Sequence, residues 1–196
     1  MNQHSESDPT VEYYNQNASS FISRTINIDM SDAYHRFLEV LPDGARVLDA
    51  GCGSGRDAKY FVDHGLDVVA FDASEKMVNH AREHAGVKVE QLRLDQLQYK
   101  EEFDGVWACA SLLHVRKDEF VSTFQNLVDA LKSSGVIYVS LKQRESSVPV
   151  GGRHFSYYSA DEVNAIISDQ PGLELLDLWF DKNSECGWIN FLAKRL

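Results

Sequence analysis

Apolar and polar positions change their period repeatedly along the chain. From about residue 46, short apolar runs alternate with segments whose apolar residues recur every three to four positions. This alternation is typical of parallel strands that are connected by helices. It predicts the following elements: strands over 46–50, 67–72, 87–94, 103–109 and 136–142, helices over 55–64, 75–85 and 117–132, and a turn over 133–135.

The two ends of the chain depart from this alternation. Near the C-terminus, a predicted helix over 159–168 precedes strands over 173–180 and 188–194. The short polar segment between these strands predicts an antiparallel hairpin at the end of the sheet. Before the first strand, helical patterns cover 11–23 and 31–40, and we expect residues 1–10 to be a disordered lead-in.

Length, charge and cysteine content narrow the classes of function. A chain of 196 residues is most simply one domain, and its net charge of −11 argues against a broad surface for nucleic acid. Cys52, Cys109 and Cys186 are odd in number and widely spaced, which fits neither a disulfide framework nor a zinc site. Because apolar runs are short and the N-terminus is polar, we expect a cytoplasmic protein without a membrane partner.

The most informative stretch follows the first predicted strand. Asp49 ends this strand, and Gly51, Gly53 and Gly55 then occupy every second position before a helix begins. Glycines allow a tight turn and a close approach of the backbone to a ligand. The second strand also ends in an acid, Asp72, which is positioned to accept ribose hydroxyls. These residues predict a site for an adenosine-bearing cofactor at the carboxyl edge of a parallel sheet.

The alternative for this glycine turn is a dinucleotide site of the G-x-G-x-x-G type. Here the third glycine, Gly55, comes one residue early, and Arg56 occupies the sixth position. Asp49 suits a cationic amino-acid ligand better than a pyrophosphate, which requires bare N–H groups at a helix N-terminus. A nicotinamide-dependent oxidoreductase is therefore the disfavoured alternative.

Over about residues 44–196, these motifs resemble the class I S-adenosylmethionine-dependent methyltransferases. The supporting residues are the turn 49–55, Asp72 and the acid after the third strand, Asp95. The resemblance implies an α/β fold with a doubly wound, Rossmann-like seven-stranded sheet, mostly parallel with an antiparallel last strand, and helices on both faces. It also implies a single domain, 1–196, with an N-terminal helical lid, 1–43, over a cofactor-binding core, 44–196.

The resemblance further implies which residues contact the cofactor, S-adenosyl-L-methionine. The implied contacts are Asp49, Gly51, Gly53 and Gly55 for the methionine part, Asp72 for the ribose, Asp95, Gln96 and Leu97 for the adenine amino group, Ala73 and Met77 for the adenine ring, Ala110 and Ser111 beside the sulfonium, and Tyr14 and Arg24 from the lid. In this scheme Arg24 pairs with the cofactor carboxylate.

Within the family, residues 103–114 and the pair Tyr13-Tyr14 resemble small bacterial members, some of which are labelled as tellurite-resistance proteins. The implied reaction is in-line attack of an acceptor on the sulfonium methyl, which leaves S-adenosyl-L-homocysteine. A lid of about 40 residues and the lack of an extra domain favour a small-molecule acceptor. The oligomeric state, monomer or homodimer, stays open. The alternatives are methylation of tRNA or of a protein side chain, and a non-catalytic cofactor-binding protein.

Three residues are candidates for the acceptor side. His114 follows the fourth strand, where histidine can line a pocket or act as a general base, or only bond a loop carbonyl. Arg153 and Tyr157 lie in the segment 151–158, where the arginine can clamp an anion and the aromatic rings can cover a substrate. Alternatively, these rings enter the core.

The segment 80–84 matches the metalloprotease signature H-x-x-E-H. Its neighbours Met77, Val78, Ala81 and Ala85 form the buried stripe of the predicted helix, and the histidines fall at the margin of that stripe. Because no third ligand follows at a familiar spacing, we expect no metal site here.

Overall fold

A computed structural model describes residues 8–143, 151–181 and 187–196. The six α-helices of these residues are α1 (Pro9–Thr25), α2 (Ser31–Glu39), α3 (Arg56–Asp63), α4 (Glu75–Ala85), α5 (Lys117–Ala130) and α6 (Ala160–Ser168). The strands are β1 (Arg46–Ala50), β2 (Asp67–Asp72), β3 (Lys88–Gln91), β4 (Phe103–Ala108), β5 (Leu131–Gln143), β6 (Leu173–Asp181) and β7 (Gly187–Arg195). Among these helices, none is both long and apolar enough to cross a membrane.

The seven strands form one sheet in the order β3-β2-β1-β4-β5-β7-β6. Strands β1 to β5 pair in parallel, whereas β7 runs antiparallel to both β5 and β6. The predicted fold class, including the closing hairpin, is therefore confirmed. The strand order reverses direction between β1 and β4, and ligands of such sheets bind outside the carboxyl ends of the strands at this point.

Hydrophobic clusters cover both faces of the sheet. One cluster contains Phe120 and Phe124 of α5, and the other contains Phe61 of α3, Trp107 of β4 and Phe37 of α2. Because Phe37 is fully buried, with its ring centroid 5.1 Å from that of Trp107, helix α2 belongs to the core. The expected lid over 1–43 is corrected accordingly: of the described N-terminal helices, only α1 lies over the edge of the sheet.

The start of α1 also corrects the expected lead-in over residues 1–10. Asp8 is the N-cap, and its carboxylate accepts a hydrogen bond from the backbone of Thr10 at 2.8 Å. Pro9 occupies the first helical position, where its missing N–H costs nothing. Residues 8–10 are thus ordered by capping, and residues 1–7 lie outside the described part of the chain.

The largest differences between predicted and observed boundaries concern β3 and β5. Strand β3 is shorter than the predicted 87–94, because the chain turns into a short 3-10 helix at Leu94–Gln96. Strand β5 begins at Leu131, which pairs with Phe103 before the register shifts. The predicted turn over 133–135 is an irregular stretch within this strand, where Ser134 has a φ of +66°.

A buried ion pair at the start of α3 connects three elements beneath the glycine turn. The carboxylate of Asp57 accepts hydrogen bonds from Arg56 Nε at 2.7 Å, from Trp107 Nε1 at 3.0 Å and from the Tyr34 hydroxyl. Only 8% of the Asp57 side chain is exposed. Because a buried acid requires such partners, this carboxylate fixes α2, α3 and β4 relative to one another.

We therefore expect Asp57→Ala to lower the free energy of unfolding by about 3–5 kcal/mol, since Arg56 loses its ion-pair partner and the Trp107 and Tyr34 donors lose their acceptor. Urea denaturation measures this change. The matched control is Asp63→Asn in the same helix, where the exposed carboxylate pairs with Lys59 and the expected change is about 0–1 kcal/mol. A similar effect of both substitutions would contradict the structural role of Asp57.

Candidate active site

The turn after β1 folds back onto the end of β2. The backbone N–H groups of Gly51 and Cys52 both donate to the carbonyl of Phe71, each at 2.9 Å. Gly53 N–H donates to the carboxylate of Asp72 at 2.9 Å. The last two residues of β2 therefore hold the turn, and they place Asp72 beside it.

Two of the glycines are required by close approach. Gly51 has a φ of +79°, and a Cβ atom there would lie 2.6 Å from Cβ of Ser111. Gly55 has a φ of +78°, and a Cβ atom there would lie 2.9 Å from Cα of Ala81 in α4. The backbone of the turn thus contacts the segment after β4 on one side and α4 on the other, with no room for side chains.

Asp72 is fixed by the backbone on both carboxylate oxygens. Oδ2 accepts from Gly53 N–H, and Oδ1 accepts from Ser74 N–H at 2.8 Å. Burial raises the pKa of Asp72, although these hydrogen bonds act in the opposite direction. The side chain is half-buried, as is Ala73 next to it. Each oxygen of a carboxylate has two lone-pair sites, so this one retains capacity for further donors.

Two buried polar atoms at this edge have no hydrogen-bond partner in the described structure: Oδ2 of Asp49 and Oγ of Ser111. Asp49 is 1% exposed. Its pKa is raised well above the usual range, first by burial and then by the charge of Asp57. Unpartnered buried acceptors are costly, so this position suits a ligand that brings a cationic donor. The acids and the glycine turn therefore fit the amino-acid part of the predicted cofactor.

The residues predicted at the adenine differ in exposure. Met77 and Leu97 are buried, at 1% and 4% exposure. Asp95 is exposed and forms an ion pair with Arg93 at 3.1 Å. The side-chain oxygen of Gln96 accepts from the backbone of Arg93 at 3.4 Å. The structure thus places the polar residues of this group at the surface and the apolar ones in the interior.

Helix α1 crosses the edge above the turn. The hydroxyl of Tyr14 lies 2.9 Å from Nε2 of His114. Asn15 Oδ1 accepts from the hydroxyl of Ser74 at 2.7 Å. The ring of Phe21 would be 3.6 Å from a Cβ atom on Gly53. These contacts bring Tyr14 beside His114 at this edge, and its predicted contact with the cofactor stays a prediction.

Arg24 does not reach the site. Its side chain is exposed, and its Nε donates to the carbonyl of Ser20 one turn earlier in α1, at 3.1 Å. The prediction that Arg24 pairs with the cofactor is therefore wrong for this conformation. Arg56 is the arginine beneath the turn, where its Nη1 donates to the carbonyl of Thr25 at 3.2 Å.

The segment after β4 carries the other predicted residues. Ala110 has a φ of +52°, and its N–H donates to the hydroxyl of Ser140 at 2.8 Å. Ser111 follows it and is buried. The 3-10 helix Leu112–His114 then directs His114 towards α1.

The hydrogen bonds of His114 determine its tautomer. Nδ1 lies 2.7 Å from the carbonyl of His154, which can only accept, so Nδ1 carries the proton. Nε2 then accepts from the hydroxyl of Tyr14. Burial lowers the pKa of His114 to about 4, and the nearby charges of Arg153 and Lys142 contribute. The imidazole is therefore neutral near pH 7.

Arg153 and Tyr157 have different surroundings. The guanidinium carbon of Arg153 is 4.4 Å from the ring centroid of Tyr13 and 5.8 Å from that of Tyr14. Tyr157 is only 4% exposed and lies in the core cluster with Phe155. The prediction that Tyr157 lines the acceptor pocket is therefore corrected, because its ring packs inside the protein.

Sequence reasoning missed three contributors to this region: Asn15, Phe21 and the backbone carbonyl of His154. A helical pattern over 11–23 predicts a helix but not the direction from which it crosses the sheet. A backbone acceptor leaves no signal in the sequence. Only the pair Tyr13-Tyr14 indicated that this helix contributes aromatic side chains.

The histidines of the H-x-x-E-H segment have other contacts. His80 Nδ1 is 2.9 Å from the carbonyl of Ser54, which joins α4 to the glycine turn. Within 8–143, 151–181 and 187–196, no group of three or more potential ligands is placed to hold a metal ion. Burial raises the pKa of Cys52 well above its usual range and that of Cys109 to about 12, so both thiols are protonated. Cys186 lies outside the described residues.

Comparison with known proteins agrees with this arrangement. Residues 47–135 match the family described as methyltransferase domain. The chain is 34% identical to a malonyl-[acyl-carrier protein] O-methyltransferase of Enterobacter lignolyticus over 99 residues, which are 47% of this chain and 37% of the relative. It is 33% identical to a ubiquinone biosynthesis O-methyltransferase of Sinorhizobium medicae over 109 residues, 52% of this chain and 43% of the relative. The chain thus spans less than half the length of these curated relatives.

The fold also matches solved structures. The 1,6-didemethyltoxoflavin-N1-methyltransferase of Burkholderia thailandensis, solved with S-adenosylhomocysteine, superimposes with a TM-score of 0.77 at 20% identity. The match covers 94% of this chain and 87% of that one. With the glycine turn, the acids after β1 and β2 and the antiparallel β7, these similarities show that the chain contains a methyltransferase domain with the fold of the class I S-adenosylmethionine-dependent methyltransferases.

Proposed function

We propose that this chain transfers the methyl group of S-adenosyl-L-methionine to a small-molecule acceptor. The observation that carries the proposal is the pair of buried, unpartnered polar atoms, Asp49 Oδ2 and Ser111 Oγ, beside a turn with no room for a Cβ atom at Gly51 or Gly55. The cationic amino group of such a ligand would donate a hydrogen bond to the unpartnered oxygen of Asp49. Its charge would also offset the negative charges of the nearby carboxylates.

In this proposal, the chain holds the cofactor through polar groups along the edge of the sheet. Asp49, Ser111 and the backbone of the turn bind the methionine part, and Asp72 accepts the ribose hydroxyls. Ala73, Asp95 and the neighbouring Met77, Gln96 and Leu97 are proposed to surround the adenine, and Gly53, Gly55 and Ala110 to shape the cleft. The bound cofactor supplies a methyl group on a positively charged sulfur.

The protein then contributes mainly alignment and the exclusion of water. Helix α1 lies across the edge, and its Tyr14 contacts His114 where the acceptor would enter. A cover made of one helix favours a small acceptor. The curated relatives bear names of O-methyltransferases, and the Burkholderia structure bears that of an N-methyltransferase, so their acceptors do not fix the atom that is methylated here.

Methylation of tRNA or of a protein side chain is the alternative acceptor class. A net charge of −11 disfavours RNA for this chain on its own, because phosphate contacts require basic groups. Cofactor binding without turnover is the remaining alternative. The monomeric or homodimeric state and the tellurite label stay predictions.

The cofactor class is tested by calorimetric titration of the purified chain with S-adenosyl-L-homocysteine, with NADH as the control ligand. We expect saturable binding of the first ligand and none of the second, because Asp49 suits an amino group and disfavours a pyrophosphate. Binding of NADH alone would refute the proposal. Formation of S-adenosyl-L-homocysteine from S-adenosyl-L-methionine with candidate acceptors then separates an enzyme from a binding protein.

Asp72→Ala should weaken binding of S-adenosyl-L-homocysteine by about 2–3 kcal/mol, because two ribose hydroxyls lose a charged acceptor and the turn loses its bond at Gly53. The same titration measures this loss. Asp67→Ala is the matched control, since Asp67 is exposed at the opposite end of β2 and should leave the affinity unchanged. An unchanged affinity of the Asp72 variant would place the ribose elsewhere.

His114→Ala should leave the affinity for S-adenosyl-L-homocysteine unchanged and reduce turnover, because His114 lies beyond the glycine turn on the acceptor side. If His114 acts as a base, the loss in kcat should be about 10²-fold or more. A smaller loss indicates that it only lines the pocket. His64→Ala, at the exposed end of α3, is the control. Equal losses of affinity and turnover would move His114 into the cofactor site.

A further inference from the structure

Two cationic side chains lie beside Phe155 on the proposed acceptor side. Phe155 is surrounded by cations: the guanidinium carbon of Arg153 is 4.9 Å from its ring centroid, and Nζ of Lys142 is 4.2 Å away. The His114 ring centroid lies 4.8 Å from that of Phe155. In a chain of net charge −11, these two cations lie close to the neutral imidazole of His114.

The planar guanidinium group of Arg153 packs against an aromatic ring. Its guanidinium carbon lies 4.4 Å from the ring centroid of Tyr13, so the cation rests against an aromatic ring. Its Nε atom is buried and has no hydrogen-bond partner among the described residues. The guanidinium also forms a hydrogen bond with the hydroxyl of Tyr14. A buried N–H donor without an acceptor is costly, so the edge that contains Nε is incompletely satisfied.

The unsatisfied edge has a specific geometry. Nε and the adjacent terminal nitrogen of an arginine present two parallel N–H donors in one plane. This fork matches the two oxygens of a carboxylate in a bidentate pair. The aromatic rings of Tyr13, Tyr14 and Phe155 around it exclude water, which strengthens such a pair.

We propose that the methyl acceptor carries a carboxylate group and that the edge of Arg153 binds it. This inference rests on the proposed function, because it assigns a chemical class to the acceptor of that same site. In this proposal Arg153 anchors the acceptor close to His114.

A carboxylate at this position would change the surroundings of His114. The charged or titratable groups that face the imidazole are Tyr14 from α1, Arg153 and His154 from the segment after β5, and Lys142 from β5. The cations among them lower the pKa of His114. An anion that pairs with Arg153 offsets this effect, so its binding should raise the pKa of His114.

The test uses the full chain saturated with S-adenosyl-L-homocysteine and follows the imidazole nitrogens of His114 by NMR. The probes are benzoate and its neutral isostere benzamide, because both present a flat ring to the aromatic walls and only one carries the charge. We expect saturable shifts and a raised pKa of His114 with benzoate, and at least roughly ten-fold weaker effects with benzamide.

Three variants make the test specific. Arg153→Gln should abolish the preference for benzoate, and Arg153→Lys should retain only part of it, since an ammonium lacks the planar fork. Arg116→Gln is the control, because Arg116 is an exposed arginine that pairs with Asp118 outside this cluster, and it should behave as the unchanged protein.

Equal effects of benzoate and benzamide, no effect of either, or an unchanged preference in Arg153→Gln would each overturn the inference. These results leave the proposed function standing as long as S-adenosyl-L-homocysteine binds in the same samples. Failure to bind S-adenosyl-L-homocysteine refutes the proposed function instead, and the two failures are therefore distinguishable.

Discussion

The site depends on how the end of β2 holds the turn after β1. The carbonyl of Phe71 receives two successive N–H groups of the turn, and the carboxylate of Asp72 receives a third, from Gly53. The acid proposed to bind the ribose is therefore also a structural part of the turn. This arrangement is stable only where the backbone approaches its neighbours without side chains, as at Gly51. The same hydrogen bonds between the turn and the end of β2 thus fix the shape of the turn and the position of Asp72.

The charges beneath the turn complete this arrangement. Asp49 and Asp57 are both buried, and Arg56 forms its ion pair with Asp57, so Oδ2 of Asp49 has no hydrogen-bond partner among the described residues. The same Arg56 reaches the carbonyl of Thr25 at the end of α1. A bound cation near Asp49 would complete the neutralisation, and the helix that covers it is anchored to the same network. Arg56 therefore links the buried carboxylate of Asp57 beneath the turn to the end of the helix that lies over it.

Local signals made part of this structure predictable. Strand β2 and helix α4 match their predicted ranges because Ser74 caps the helix and Gly86 ends it in the left-handed region. Asp49 and Asp72 could be placed at one edge because parallel strands end on the same side of a sheet. Arg24 and Tyr157 could not be placed correctly, because the spacing of apolar residues does not show how a helix or loop is oriented relative to the sheet.

The acceptor side illustrates why a sequence motif alone does not define a mechanism. His114 has a proton on Nδ1, held by the carbonyl of His154, and its other nitrogen accepts from Tyr14. While α1 keeps this contact, the imidazole has no free acceptor nitrogen. An acceptor that must lose a proton to His114 has to displace Tyr14 first, whereas an acceptor that attacks through an anionic group needs no base. The position of α1 thus determines both whether the site is covered and whether His114 can accept a proton from the acceptor.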